Sequence, residues 1–204
     1  MPSDNHPHVD WEHRYRSEDT PWDKGTHHPM AATPPEDPAL PGAVLVPGCG
    51  TGWDLLALAE RLPDRKILGV DIAPSAVDSA KQRTAALPMV EVHCMDIFSP
   101  GIRDHLGPVA MIWEHTCFCA IPPAMRPAYV AMAAALLPPG GEWRGVFFLT
   151  LDDGGSGPPW NCPEQELRSL FGPWFDIARV EPCATTHPGR EHSEWHVHMR
   201  RKDA

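Results

Sequence analysis

Five residues, Gly48-Cys49-Gly50-Thr51-Gly52, restrict this chain more than any others. They follow the apolar run Ala43-Val44-Leu45-Val46 and precede Trp53 to Leu62, where Leu55, Leu56, Leu58, Ala59 and Leu62 recur at helical spacing. A short buried strand, a glycine turn and a helix form the opening of an alternating β/α sheet. A dinucleotide fold spaces its glycines G-x-G-x-x-G, which would put the third at position 53. Trp53 stands there, and the third glycine is Gly52, one residue early. The pyrophosphate fingerprint fails, but the loop still lets a ligand lie close against the backbone.

The alternation continues. Lys66 to Asp71 reads as a second strand, and Pro74 to Ala86 as a helix with Pro at its opening. Val90 to Met95 and Val109 to Trp113 are further strands. Pro123 to Leu137 is a long helix closed by Pro138-Pro139-Gly140-Gly141. Trp143 to Leu151 is a strand and Glu164 to Phe171 a short helix. Trp174 to Glu181 and Ser193 to Arg200 come last, with no long helix between them. This predicts an α/β fold: a mostly parallel seven-stranded sheet with helices on both faces and a C-terminal antiparallel hairpin at its edge. A chain of 204 residues fits one structural domain. Within it, residues 1–42 read as a Pro-rich arm with a short helix at Val9 to Arg16, and residues 43–204 as the sheet domain.

Ligands of such sheets bind at the carboxyl ends of the strands. Asp71 ends the second strand, where an acid can accept both hydroxyls of a ribose. Asp96 follows the third, where a carboxylate can accept from an adenine amine. A glycine loop and two acids without a pyrophosphate site describe a nucleoside, and S-adenosylmethionine fits that description. Asp54 opens the first helix and has two readings: it complements the positive helix end, or it meets the cofactor's amine.

Composition removes several classes. The net charge of −10 argues against a nucleic-acid partner held through phosphates. No run of 18 apolar residues exists, which argues against a membrane partner. Met1 to Asp10 lacks a signal-like apolar stretch, so the expected setting is cytoplasmic, with six reduced cysteines. No C-x₂₋₄-C pair occurs, so no metal site is expected. The twelve histidines are scattered, and the pair His27-His28 reads with most others as solvated surface.

Val44 to Asp71, with its Val-Pro-Gly-Cys-Gly-Thr-Gly-Trp-Asp core, resembles the thiopurine S-methyltransferase family and the related plant halide and thiol methyltransferases. Trp11-Glu12-His13-Arg14-Tyr15 through Thr20-Pro21-Trp22-Asp23-Lys24-Gly25 is similar to the family's cofactor-covering segment. Asp96-Ile97-Phe98, Ile112 to Ile121, Gly157-Pro158-Pro159-Trp160 and His187-Pro188-Gly189-Arg190 are similar to later motifs. The resemblance implies a Rossmann-like class I fold that transfers a methyl group from S-adenosylmethionine. It implies cofactor contacts at Trp11, Tyr15, Trp22, Gly48, Gly50, Gly52, Asp71, Ile72, Asp96, Ile97, Glu114 and His115. An aromatic lid suits a sulfonium, since a cation is drawn to a ring face; alternatively Trp11 and Trp22 only pin the arm. Met30 to Pro41 is Ala- and Pro-rich and is expected to lack the helix relatives carry there.

The loop Trp113-Glu114-His115-Thr116-Cys117-Phe118 follows the fourth strand at the mouth of the crevice. Relatives carry Tyr or Arg where this chain has His115. A histidine titrates near neutrality and can take a thiol proton, which makes His115 the candidate catalytic residue; hydrogen bonding to the cofactor is the equal alternative. Trp22, Cys117, Phe118, Trp160 and Arg190 are the candidate acceptor-binding residues. Cys117 and Cys119 read foremost as packing residues, and His187, Arg190 and His192 as a solvated hairpin loop. The expected activity is methyl transfer to a small thiol or similar soft nucleophile, by a monomer or weak dimer. The alternatives are methylation of a halide, of a selenium or tellurium oxyanion, or of an O or N atom of a small metabolite, and a non-catalytic module that only binds the cofactor.

Overall fold

The computed structural model describes residues 9–32, 40–152 and 157–203. Readings that fall on residues 1–8, most of the segment from Met30 to Pro41, and 153–156 lie outside the described residues.

All five residues of β1, Ala43–Pro47, are buried, as are those of β2, Ile67–Asp71. Strands covered on both faces read as continuous apolar runs, which is why neither shows polar alternation. With β3 (Val90–Cys94), β4 (Val109–His115), β5 (Glu142–Phe148), β6 (Phe175–Pro182) and β7 (Glu194–Arg201) they form one seven-stranded sheet. Its order is β3-β2-β1-β4-β5-β7-β6. Strands β1 to β5 pair in parallel; β7 pairs antiparallel with both β5 and β6. The order reverses between β1 and β4, which puts the open crevice of the sheet there.

Side chains alternate across the sheet into two cores. Leu45, Leu68, Ile112 and Trp143 pack on one face with α5 (Ile102–Leu106), α6 (Arg126–Leu136) and α7 (Glu164–Phe171). Val44, Val46, Ile67 and Trp113 pack on the other with α3 (Trp53–Arg61) and α4 (Pro74–Arg83). Each such Leu, Ile or Val contributes roughly 1.5–3 kcal/mol on burial.

The element types match the sequence reading, and several details differ. The helix expected from Pro123 begins as a 3-10 turn, Pro123–Met125, and becomes α-helical at Arg126. The short α5 was not anticipated; Gly101 and Gly107, both at positive φ, bound it. A single turn, α2 (Pro29–Ala32), lies in the segment expected to lack a helix, and its Ala31 is fully buried.

The arm lies against the carboxyl ends of the strands. Its helix α1, Trp11–Arg16, is capped by Asp10, whose Oδ1 accepts from His13 N at 2.9 Å. Two carboxylates tie the arm down. Glu12 accepts from Ser75 N (2.9 Å) and Ser75 Oγ (2.6 Å) at the start of α4. Asp23 accepts from Thr51 Oγ1 (2.6 Å) and Trp53 Nε1 (3.1 Å) at the start of α3. Among the described residues, no helix is long and apolar enough to cross a membrane.

Candidate active site

A cleft of about 830 Å³ opens where β1 and β4 diverge, lined by the glycine loop, the ends of β2 and β4, the arm and the β6–β7 loop. Gly48 sits where the loops after β1 and β4 touch. A Cβ on it would lie 2.9 Å from the Cys117 side chain. Gly50 has φ +53°, and a Cβ there would come within 3.0 Å of the Tyr15 hydroxyl. Gly52, also at positive φ, caps α3.

Asp71 is buried at the end of β2. Its Oδ2 accepts from Gly50 N and its Oδ1 from Ala73 N, each at 2.9 Å. Burial pushes this carboxyl above its usual range, against those backbone bonds. Beside it Ile72 is exposed on the cleft wall. Asp96 is exposed at the next strand end, with Oδ1 accepting from Phe98 N, and Ile97 lines the cleft beside it. The arm contributes an aromatic group: Trp22 meets Trp11 edge-on at 5.4 Å and Tyr15 at 5.7 Å. Trp22 Nε1 donates to the Tyr15 hydroxyl at 3.1 Å, and the Arg14 guanidinium lies 4.4 Å from the Trp22 ring.

At the other end of the cleft three histidines meet. His28 lies 4.7 Å from His115 and 5.4 Å from His187 between ring centres, and His115 stacks on His187 at 6.2 Å. Asp54 stands behind them. Its Oδ1 accepts from His28 N (2.8 Å), and its Oδ2 from Trp113 Nε1 (2.9 Å) and pairs with His115 Nδ1 (3.0 Å). Burial would raise this carboxyl, but its pairing with His115 and the hydrogen bonds from Trp113 and His28 N outweigh it and hold it well below the usual range. His28 Nδ1 accepts from Met30 N at 3.1 Å, so its Nε2 carries the proton donated to Glu194 Oε2 at 2.9 Å. Burial keeps His28 low. His187 is lowered to about 4, first by burial and then by His28, His115 and Arg190. Arg190 pairs with the other Glu194 oxygen at 2.9 Å. The Nε2 atoms of His115 and His187 are buried and have no protein partner among the described residues. Both residues line the cleft.

Several expected positions fall elsewhere. Phe118 does not wall the acceptor pocket. It is buried in the core against Tyr129, Phe147 and Phe171, under the Arg126 guanidinium. Trp160 also lies off the cleft, its backbone bonded to Cys119 and Arg126, while Pro158 and Pro159 line the wall. Glu114 is wholly buried and bonded to Tyr129, Cys117 N and Phe118 N, so its carboxylate shapes the loop and does not reach the cleft. His187 is buried, not solvated as its loop position suggested. Cys117 and Arg190 do line the cleft. Sequence reasoning missed His28 and Glu194; their neighbours in space lie far along the chain, and no periodicity or spacing links them.

Comparison with known proteins agrees with this geometry. The family model for thiopurine S-methyltransferase matches residues 6–203. A probable thiol methyltransferase 2 of Arabidopsis thaliana is 34% identical, over 80% of this chain and 71% of its own length. Thiocyanate methyltransferase 1 of the same plant is 32% identical over 90% and 81%. A thiopurine S-methyltransferase of Pseudomonas entomophila is 35% identical over 67% and 70%. A 1,6-didemethyltoxoflavin N1-methyltransferase of Burkholderia thailandensis, solved with S-adenosylhomocysteine, superposes with a TM-score of 0.73 at 18% identity, over 94% of this chain and 85% of its own. A structure from work on conversion of a disulfide bond into a thioacetal group during echinomycin biosynthesis gives 0.74 at 20% identity, over 94% and 91%. Matches of this length at a third of all positions leave one assignment: the chain is an S-adenosylmethionine-dependent methyltransferase and belongs to the thiopurine S-methyltransferase family.

Proposed function

We propose that this chain methylates a small thiol, with residues 9–32 of the arm as the cover of the site and His115 as the group that takes the thiol proton. The observation that carries the proposal is the buried, unpartnered Nε2 of His115 in the wall of the cleft. Buried polar atoms without partners are rare and call for an explanation; an incoming ligand supplies one here.

The cradle suits the cofactor. Gly50 gives up the space a Cβ would fill below Tyr15, and Asp71 retains acceptor capacity for ribose hydroxyls beyond its two backbone bonds. Ile72 and Ile97 offer apolar walls for a base, with Asp96 at the rim. Trp11, Tyr15 and Trp22 close the side where a cation gains from ring faces, by about 0.5–2 kcal/mol. When bound, S-adenosylmethionine supplies a methyl group on a sulfonium whose sulfur departs as a neutral thioether. The chain's own part is to hold the acceptor about 3–3.5 Å from that carbon, exclude water and accept a proton. Cys117 and Arg190 are the acceptor-side contacts in this reading.

No metal belongs to it. His28, His115 and Glu194 bring ligand atoms within 4.8 Å of one another. Both ring nitrogens of His28 are already in use, and an N–H donor faces its Nδ1. Six free thiols and a charge of −10 support a cytoplasmic enzyme acting on a small molecule, as a monomer or weak dimer.

A panel of thiols, halides and small phenols with labelled cofactor tests the acceptor class. His115→Ala and His115→Asn, measured over pH, test the base. A fall in kcat/KM of roughly 10²–10⁴-fold is expected; wild-type rates with an unchanged pH profile would remove His115 from the mechanism.

A further inference from the structure

We infer that Asp54 is a positioning residue that locks His115 with its proton on Nδ1 and its Nε2 bare, and that the site is thereby built for acceptors that arrive carrying a proton. Alkyl thiols, whose S–H ionises above neutral pH, are that class; halides and other ready-made anions are not. The inference rests on the thiol methyltransferase reading above and adds to it a residue and a selectivity.

The tautomer follows from counting donors. The Asp54 carboxylate receives two groups that can only donate, the His28 backbone N–H and the Trp113 indole N–H. Each of its oxygens already receives an N–H, which favours the carboxylate and leaves it no proton to offer His115. Nδ1 of His115, 3.0 Å from Oδ2, must therefore be the N–H. A neutral imidazole has one N–H, which leaves Nε2 with its lone pair. That atom is buried and unpartnered on a residue lining the cleft.

The groups facing the ring from each packed element reinforce this. On β4 itself, Glu114 bonds inside its own loop and Tyr129 and makes no hydrogen bond to the ring. From the arm side, His28 is neutral and donates to Glu194 of β7. From the β6–β7 loop, His187 is uncharged at neutral pH, and the charge of Arg190 is paired with Glu194. An anion placed beside His115 meets two neutral imidazoles and a guanidinium already compensated. A thiol meets a proton acceptor. Its S–H bond breaks, the proton moves to Nε2, and the bonding pair stays on sulfur to form the new bond to the methyl carbon. The imidazolium is stabilised by the Asp54 carboxylate and later gives its proton to water. Asp54, in the first turn of α3, thus serves the acceptor end of the cleft and not the cofactor's amine.

Asp54→Asn tests this. The amide removes the carboxylate charge in either orientation: with its oxygen on the His28 N–H its NH₂ faces Nδ1 and turns the His115 proton to Nε2, and with its oxygen on Trp113 and Nδ1 no anion remains to stabilise the imidazolium. We expect kcat/KM at neutral pH to fall about 10²–10⁴-fold for alkyl thiols and by less than about threefold for aromatic thiols that are already thiolates, since these need no base. Affinity for S-adenosylhomocysteine is expected to stay within about threefold. An equal loss across the whole thiol series, or no loss, overturns the inference while leaving thiol methylation intact. Wild-type enzyme that methylates iodide but no thiol overturns the selectivity and the thiol reading together. If Asp54→Asn does not fold, ¹⁵N shifts of the His115 ring in the unaltered protein decide the matter. A protonated Nδ1 with bare Nε2 supports it, and the reverse tautomer overturns it.

Discussion

The Tyr129 hydroxyl donates to Glu114 Oε2 at 2.6 Å, with neither side chain reaching solvent. The other Glu114 oxygen takes the N–H groups of Cys117 (2.8 Å) and Phe118 (2.7 Å), so one buried carboxyl fixes the turn that presents His115. Burial raises this group to about 7, against the bonds from Tyr129 and the two amides. The folded chain therefore holds a proton that the unfolded chain, with an ordinary glutamate near 4.3, releases. Its contribution is complete below about pH 4 and is lost as pH rises through 7, by about 3 kcal/mol. Calorimetry should show the wild type losing on the order of 5–10 °C more than Glu114→Gln between pH 5 and 8. Parallel slopes for the two proteins would contradict this.

Gly50→Ala is expected to weaken binding of S-adenosylhomocysteine tenfold or more. The left-handed backbone costs a residue with a side chain roughly 1–2 kcal/mol, and the added methyl meets the Tyr15 hydroxyl. Gly101→Ala is the control. It has a positive φ with nothing within 4 Å and does not line the cleft, so it should lower the melting temperature and leave binding alone. Titration calorimetry on the two variants separates strain from ligand contact.

Glu12→Ala and Asp23→Ala each remove one tie between arm and body. Trypsin should then cut faster after Arg14, Arg16 and Lys24, with S-adenosylhomocysteine restoring less protection than it gives the wild type. Cleavage at wild-type rates in both variants would mean that aromatic packing alone seats the arm.

Cys94 is exposed, whereas burial pushes the thiols of Cys49 and Cys117 well above their usual range and those of Cys119, Cys162 and Cys183 up to about 12. Iodoacetamide at pH 7.5 should add one group rapidly, at Cys94, by mass spectrometry of the folded protein. Rapid labelling of Cys117 would show that the cleft activates that thiol.

That the glycine loop and the strand-end acids share one cleft was legible because local patterns encode it. A strand, a glycine loop and an acid at the next strand end are consecutive, and each has its own chemical reason. The histidine cluster was not. His28, Asp54, His115, His187 and Glu194 lie on five separate segments, and only the strand order brings them together. Phe118 misled for a related reason. The 3-10 turn Phe118–Ala120 rotates it away from the cleft and into the core, and no residue type in the loop signals that turn. Asp54 was readable as an acid at a helix start, but its partners were not.

Strand β7 lies inside β6, although it comes later in the chain. Strand β6 can join the sheet only through it. The glycine loop and Asp71 lie on contiguous βα units of the parallel part of the sheet. The histidine end of the cleft hangs on a hairpin whose loop carries His187 and Arg190 and whose second strand begins with Glu194. If the proposed roles hold, substitutions in that hairpin retune what is methylated while the donor cradle on β1 and β2 stays as it is, so the sheet order itself separates the two.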